Sequence, residues 1–387
     1  MGSADVIIVG AGVMGASAAY HLASRGCSNV LVIERLPEPG LGSTGKATGG
    51  FRAQFGTEVN VGLSLLSRKK LLQFKGELGI DPGYRQCGYL FVANNQSQLD
   101  TLRTAKEIQR SAGLEEACEV SPSDIAGLNP AIRVDGILGG TYCPTDGFMR
   151  PMDVLRGYCE GAKGLGARFL YDVDVTGFDM ASSHRIRGIR TTKGTFTADT
   201  FVNAAGAWAG ELARFAGVKL PVEPVRRQVA TLSKPPLLSE DMPMTIFVED
   251  GFHLRVRVGK VLLLLGSDRY RAVPFDSSFE PAWLDDVVRR AHECVACLKE
   301  ATVDLSECWA GLYEMSPDKH AILGRSTEVE NFYLINGSSG HGVMHSPALG
   351  QLLAEEILDG RARSLDVHAL RPSRFAEGKP NPLMEFL

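Results

Sequence analysis

Three glycines and one glutamate near the start of the chain have the spacing of a nucleotide-binding turn. Gly10, Gly12 and Gly15 form a GxGxxG pattern, and Glu34 follows 19 residues after the last glycine. In such a turn the glycines allow a tight bend, a close approach of backbone N–H groups to a pyrophosphate, and close helix–strand packing. A glutamate at this position accepts hydrogen bonds from ribose hydroxyls and repels a 2′-phosphate. These residues predict binding of FAD or NAD rather than NADP.

The segments around these glycines predict a strand–helix–strand unit. Asp5–Val9 is a nearly continuous apolar run, which is typical of a buried parallel strand. We predict a helix from the glycine turn to about Arg25, ended by Gly26, and a second strand over Val30–Ile33. This order of elements makes the glycine pattern far more specific than it is alone.

Strand-and-turn patterns recur in the middle and at the end of the chain. Thr197–Val202 predicts a strand that leads into Ala205, and Phe332–Ile335 predicts one that leads into a second glycine-rich turn. The helix after that turn contains Pro347 in its first turns, where proline is tolerated. Shorter strands are predicted over Gly166–Tyr171 and Arg187–Thr191. The start, middle and end of the chain therefore each contribute to one nucleotide-binding domain.

This distribution predicts two domains, of which the first is discontinuous in sequence. The 387 residues are enough for two or three domains. We assign residues 1–80, 150–216 and 310–387 to the nucleotide-binding domain. The intervening stretches contain mixed strands and loops, and we assign residues 81–149 and 217–309 to a second, substrate-binding domain.

Composition excludes several classes of protein. The net charge of −4 argues against nucleic acid binding, and no apolar run is long enough to span a membrane. The eight cysteines are scattered, which predicts free thiols in a reducing, cytoplasmic setting. Cys294 and Cys297 have CxxC spacing, but no second ligand pair accompanies them, so we predict no metal site.

Seven longer motifs are more specific than the glycine pattern. They are VIIVGAGVMGASAAYHLASRG with Glu34, GSTGKATGGFRAQFG, CGYLFVA, PTDGFMRP, FVNAAGAWA, WAGLYEMSPDKHAILG and GSSGHGVMHSPALG. Together they make the chain resemble the FAD-dependent amine oxidoreductases of the D-amino-acid oxidase superfamily. Within it, the chain is most similar to sarcosine oxidases and to the catalytic subunit of archaeal L-proline dehydrogenases. The resemblance implies an α/β fold, with a doubly wound FAD-binding domain and a substrate domain built on a mixed β-sheet.

The resemblance also implies that FAD binds in an extended form. Glu34 and the first glycine turn would hold its adenosine and pyrophosphate, and the backbone of Val175 would contact the adenine. The turn at Gly340–Met344 would face the pyrimidine edge of the flavin, where a helix N-terminus stabilises negative charge. The residues implied to contact the cofactor are Gly10, Gly12, Val13, Met14, Gly15, Glu34, Arg35, Ser43, Thr44, Gly49, Gly50, Val175, Ala205, Gly206, Trp208, Gly311, Gly340, His341, Gly342, Val343 and Met344.

Four positions depart from members of this family. Gly311 stands where monomeric sarcosine oxidases carry a flavin-linking cysteine. Lys46 stands in the region where dimethylglycine dehydrogenases place a flavin-linking histidine. We therefore predict that FAD is held without a covalent bond. Met344 replaces a carboxylate-binding lysine, as in the proline dehydrogenases, and Leu264 replaces the lysine that activates oxygen in sarcosine oxidases.

Five side chains are predicted to act on the substrate. The resemblance implies that the loop containing Ser43, Thr44, Gly49 and Gly50, here called the flavin loop, lies along the ribityl chain and isoalloxazine ring. Arg52 directly follows this loop, and a guanidinium is the best two-pronged partner for a carboxylate. Tyr313 matches a residue near the flavin, and His341 lies in the second glycine turn. His253 and Arg255 are two residues apart and therefore share one strand face, but alternation does not say whether that face is buried.

These residues predict oxidation of a secondary or N-methyl amino acid such as sarcosine. Hydride transfer to flavin N5 would give an imine that hydrolyses, and oxygen would reoxidise the flavin. The main alternative is an L-proline or other amino acid dehydrogenase that passes electrons to a different carrier, with or without a partner subunit. A 2-hydroxy-acid or glycerophosphate oxidase and a flavoprotein assembly factor are further alternatives.

Overall fold

A computed structural model describes residues 2–266 and 274–383. Its helices are α1 (Val13–Ser24), α2 (Ser43–Lys46), α3 (Glu58–Leu78), α4 (Gln96–Ser111), α5 (Pro122–Leu128), α6 (Pro151–Gly164), α7 (Ala209–Phe215), α8 (Pro281–Cys294) and α9 (Gly342–Asp359). Its strands are β1 (Gly2–Val9), β2 (Val30–Ile33), β3 (Gly50–Phe51), β4 (Tyr89–Ala93), β5 (Cys118–Val120), β6 (Gly139–Cys143), β7 (Gly147–Phe148), β8 (Arg168–Leu170), β9 (Val175–Ser182), β10 (Arg185–Thr191), β11 (Gly194–Asn203), β12 (Glu223–Ser233), β13 (Met244–Phe247), β14 (His253–Arg257), β15 (Lys260–Leu264), β16 (Trp309–Met315), β17 (Ile322–Arg325) and β18 (Phe332–Asn336).

The first sheet is mainly parallel, with its strands in the order β17-β18-β11-β1-β2-β8. The β9–β10 hairpin extends from β11, and β17 pairs with β18; these pairings are antiparallel. The apolar runs predicted as buried parallel strands form β1, β2 and β18. Because β1 has β2 on one side and β11 on the other, a crevice opens at the carboxyl ends of these strands.

Both faces of this sheet are covered. Helices α1, α3, α6 and α9 pack against one another on one face, and α7 with the β9–β10 hairpin covers the other. Helices α1 and α9 approach very closely, because a methyl group on Gly350 would lie 2.2 Å from Ser17 Oγ. Segments from the two ends of the chain thereby form one core, as the predicted discontinuous domain requires.

Helix α9 contains its proline in the second turn, within the first turns predicted from sequence. Pro347 is the sixth residue of the helix. A proline there has no N–H to donate to the carbonyl of Val343. The hydroxyl of Ser346 donates to that carbonyl instead, at 2.9 Å, so the helix continues without an unsatisfied acceptor.

The second sheet is mixed and runs in the order β16-β12-β15-β14-β13-β4-β6-β5. Strands β13 and β4 are parallel, and the other neighbours are antiparallel. The predicted α/β class, with a helix-covered parallel sheet and a second mixed sheet, is therefore confirmed. Because β16 pairs with β12 over its whole length, we propose to place the last domain boundary after Met315 rather than after residue 309.

Within the described ranges 2–266 and 274–383, no helix is long and apolar enough to cross a lipid bilayer. The same ranges contain no group of three or more His, Cys, Asp or Glu side chains suited to a metal ion. The eight cysteines are free thiols, including the CxxC pair Cys294 and Cys297.

Candidate active site

A cavity of about 780 Å³ lies between the two sheets. Its walls include the loops at the carboxyl ends of β1, β2, β11 and β18, together with residues of β12, β14 and β16. All of the predicted site residues line it except Gly15 and Arg255. The folded chain therefore brings together candidates that are spread over more than 300 positions of sequence.

The first glycine turn leaves space for an anion at one end of the cavity. A methyl group on Gly12 would contact only Thr44 Oγ1, at 3.5 Å, and otherwise point into the cavity. The following helix, α1, has no acidic residue in its first turn, and its N-cap residue, Gly12, has no side chain. Thr44 Oγ1 accepts the N–H of Val13 at 3.1 Å, and the N–H groups that follow face the cavity end. Unpaired N–H groups and the helix dipole favour a phosphate at this point. Gly15 lies outside the cavity because its role is packing: a methyl group there would lie 1.9 Å from the carbonyl oxygen of Gly10.

Glu34 is held rigidly at the same end. Its carboxylate accepts the N–H of Ala11 at 2.8 Å and that of Leu36 at 3.0 Å. The carboxylate oxygens have further lone pairs that can accept hydrogen bonds from ribose hydroxyls. Beside it, the guanidinium of Arg35 lies 3.8 Å from the centre of the Trp208 ring, which in turn stacks on Phe275. Residues that fit a nucleotide thus line this end of the cavity.

The flavin loop is tied to β16 by two hydrogen bonds. Ser43 Oγ donates to the carbonyl of Leu312 at 2.6 Å, and Trp309 Nε1 donates to the carbonyl of Lys46 at 2.9 Å. A methyl group on Gly311 would lie 2.8 Å from the Cβ of Lys46. Gly311 and Lys46 are therefore neighbours, and neither provides a thiol or imidazole that could bond to a flavin.

Arg52 is a buried cation on the wall of the cavity. It is 3% exposed; Nη1 donates to the carbonyl of Gln54 at 3.2 Å, and Nη2 donates to His341 Nε2 at 3.1 Å. The guanidinium carbon lies 4.2 Å from the centre of the Phe55 ring. No carboxylate of the described residues forms an ion pair with it, and burial lowers its pKa to about 10. The guanidinium of Arg52 can therefore donate strong, charge-assisted hydrogen bonds to an anionic ligand in the cavity.

Histidines on the cavity wall are held in the neutral form. Burial lowers the pKa of His253 to about 4, and burial with the charge of Arg52 holds the pKa of His341 well below its usual value. His341 can therefore accept the Arg52 N–H with its Nε2 lone pair. His253 Nδ1 donates to the carbonyl of Gly251 at 2.8 Å, which leaves its Nε2 lone pair available to accept.

The structure corrects the prediction for Arg255. Its strand is buried on both faces, and its side chain does not reach the cavity wall. The guanidinium instead lies 3.6 Å from the centre of the Phe148 ring, and Nη1 donates to the carbonyl of Thr48 at 2.6 Å. Arg255 therefore supports the flavin loop from outside the cavity, although His253 on the same strand does line it.

Sequence reasoning missed several residues of the site. Tyr89, within the CGYLFVA motif, lines the cavity, and burial raises the pKa of its phenol. A methyl group on Gly50 would lie 1.9 Å from Tyr89 Oη, so this glycine makes room for the phenol. Glu314 also lines the cavity; its Oε1 accepts the N–H of Ser338 at 3.3 Å, and burial raises its pKa to about 7.

Comparisons with known proteins agree with this geometry. Residues 5–356 match the family described as FAD dependent oxidoreductase. FAD-dependent oxidoreductase domain-containing protein 1 from Bos taurus is 29% identical over 97% of this chain and 85% of its own length. Mitochondrial sarcosine dehydrogenase from Homo sapiens is 28% identical over 96% of this chain, which spans 41% of that protein. The crystal structure of L-proline dehydrogenase from P. horikoshii has a TM-score of 0.90 and 28% identity, covering 98% of this chain and 100% of that one.

These matches confirm the predicted resemblance and the prediction of an enzyme of the amine oxidase or dehydrogenase type that uses FAD. The glycine turn, Glu34 and the helix N-terminus at one end of the cavity fit that cofactor. A cytoplasmic location stays a prediction, because the sarcosine dehydrogenase that the chain resembles is mitochondrial. The chain belongs to the family of FAD-dependent oxidoreductases.

Proposed function

We propose that the protein oxidises a secondary or N-methyl amino acid, with sarcosine as the first candidate. The observation that carries this proposal is Arg52, a buried guanidinium that faces the cavity and has no carboxylate partner among the described residues. A substrate carboxylate would supply the missing charge in two-pronged geometry. Proteins named for sarcosine, dimethylglycine and L-proline oxidation are among the relatives, which supports an amino acid substrate.

The other side chains of the wall would orient the substrate and keep it dry. His341 accepts an N–H of Arg52 and thereby fixes the plane of the guanidinium. The phenols of Tyr89 and Tyr313 stand on the same cavity wall, and burial raises the pKa of both. Removal of water favours the neutral amine over the ammonium, as hydride loss requires. When bound, FAD supplies the hydride acceptor at N5.

L-Proline or another amino acid, with an electron carrier other than oxygen, is the second candidate. Two nonpolar side chains favour it: Met344, where sarcosine oxidases have a carboxylate-binding lysine, and Leu264, where they have an oxygen-activating lysine. Both residues line the cavity and are buried.

An anaerobic screen of flavin reduction tests the proposal. Sarcosine, L-proline, other N-methyl amino acids and D-amino acids would each be mixed with the FAD-loaded protein while the 450 nm absorbance is followed. Sarcosine or L-proline should bleach the flavin, and amines of similar size without a carboxylate should not. Air would then be readmitted, and the rate of flavin reoxidation would be measured. A fast rate indicates an oxidase, and a slow rate indicates a dehydrogenase. Bleaching by the carboxylate-free amines alone would contradict the proposal.

We also expect the FAD to be released by denaturation. Gly311 and Lys46, at the positions of flavin-linking residues in relatives, lie side by side and offer no thiol or imidazole. After acid precipitation the yellow colour should be in the supernatant. A pellet that keeps the flavin fluorescence after washing would show a covalent link elsewhere.

A further inference from the structure

Asp146 is a fully buried carboxyl within the motif PTDGFMRP, to which the proposed reaction assigns no role. Its side chain is 0% exposed. Oδ1 accepts the N–H of Ala53 at 2.7 Å, and Oδ2 accepts Nε2 of Gln54 at 3.2 Å. Asp146 therefore binds the two residues that directly follow Arg52.

Gln54 links this carboxyl to the guanidinium. Its side-chain Nε2 donates to Asp146 and also to the carbonyl of Tyr89, at 3.0 Å. Its backbone carbonyl accepts Nη1 of Arg52 at 3.2 Å. The pairing of β3 with β7, Gly50 with Phe148 and Phe51 with Gly147, holds the two segments in register directly beside these contacts. Displacement of Asp146 would therefore displace an acceptor of Arg52.

Asp146 also acts on Arg52 through charge without neutralising it. The two groups do not form an ion pair, because the N–H groups of Ala53 and Gln54 occupy the carboxylate. Each still favours the charged form of the other, and burial, the larger effect, raises the pKa of Asp146 to about 7. An ionised Asp146 would place a negative charge close to the site where a substrate carboxylate binds.

We propose that Asp146 is a positioning residue for Arg52 and that loss of its proton weakens the binding of a carboxylate ligand. This inference rests on the proposed role of Arg52 in binding substrate. Since the ionised Asp146 and the carboxylate ligand would both be negative, the affinity of the protein for the ligand should fall as the pH rises. A merely structural carboxyl would support Arg52 equally at every pH.

Among the residues that the structure describes, no other group that faces Asp146 titrates in the same range. The facing groups lie directly after β3, on α3, β4 and β6, and in the loop before β4; they are Arg52, Arg68, Tyr84, Tyr89, Tyr142 and Cys143. The arginines keep their charge, and burial raises the pKa of the phenols and moves that of the thiol to about 12. Glu314, which lines the cavity, does have a pKa raised to about 7 and needs its own control.

Acetate is a suitable probe, because it carries the carboxylate and cannot be oxidised as an amine. Its binding to the FAD-loaded protein would be measured by calorimetry between pH 6 and 8.5. Wild type should bind acetate about tenfold more weakly at the upper end of this pH range than at the lower end. A tenfold change is the effect of a charge interaction worth one pKa unit. Asp146→Asn should lose most of this dependence. Because its amide has one acceptor oxygen where the carboxylate has two, it should also bind acetate more weakly than wild type at low pH. Glu314→Gln, the matched control, should keep the dependence.

Gln54→Met separates position from charge, because it removes the tether and leaves the carboxyl. This variant should bind acetate more weakly at every pH while keeping the pH dependence. A pH dependence that survives in Asp146→Asn would overturn the inference, and so would a pH dependence that disappears in Glu314→Gln. Acetate binding that is unchanged by Arg52→Ala would instead overturn the proposed function itself.

Discussion

Replacement of Arg52 by alanine should lower kcat/KM for the amino acid substrate by about a hundredfold or more. The change leaves a substrate carboxylate unpaired in a dry site, which costs roughly 3 kcal/mol. Most of the loss should appear as a raised KM, because the contact is made in both the ground state and the transition state. Steady-state kinetics on sarcosine and on L-proline provide the measurement.

Two controls make this result specific to the carboxylate. Arg52→Lys should recover only part of the activity, because an ammonium cannot form the two-pronged contact. An amine without a carboxylate should be as poor a substrate for Arg52→Ala as it is for wild type, because it never makes this contact. Equal kcat/KM of both proteins on amino acids would remove Arg52 from the substrate site.

Gly12→Ala should weaken FAD binding by at least about a hundredfold, or roughly 3 kcal/mol, while the chain still folds. The added methyl group meets only Thr44 Oγ1, at 3.5 Å, so the protein itself has room for it. It would occupy the space through which a pyrophosphate approaches the N-terminus of α1. Titration of the apoprotein with FAD, followed by fluorescence, gives the dissociation constant.

Gly76→Ala is the matched control for this change. Gly76 lies on the exposed side of α3 with no atom near its missing side chain, so alanine there should leave FAD affinity unchanged. Thermal unfolding of both apoproteins would verify that each variant folds. An FAD affinity of Gly12→Ala equal to that of wild type would show that the pyrophosphate does not bind at this turn.

The parts of the molecule that were predictable from sequence are those that depend on short-range patterns. The glycine turn, α1 and β2 follow from apolar periodicity and glycine spacing within about 30 residues. The helix after β18 was predicted for the same reason. Its proline lies in the second turn, where the Ser346 hydroxyl replaces the missing N–H donor.

The parts that were missed depend on contacts between distant segments. Strand alternation placed His253 and Arg255 on one face, but it could not show that Arg255 reaches Phe148 and the backbone of Thr48. Asp146 and Gln54 are 92 positions apart, and no local pattern indicates that they meet. Glu314 lies in the motif WAGLYEMSPDKHAILG. Its carboxyl is buried because the turn after β18 brings the N–H of Ser338 against it, and this contact joins segments that are distant in sequence.

The close packing of α1 on α9 has a consequence for the timing of cofactor loading. Gly10 and Gly12 leave the ribosome early, but their cavity also needs residues 338–344, which are made more than 300 residues later. A nascent chain therefore presents the phosphate turn long before the opposite wall exists. FAD cannot be enclosed until residues 338–344 have been synthesised, so the flavin should be acquired only after this wall of the cavity has left the ribosome.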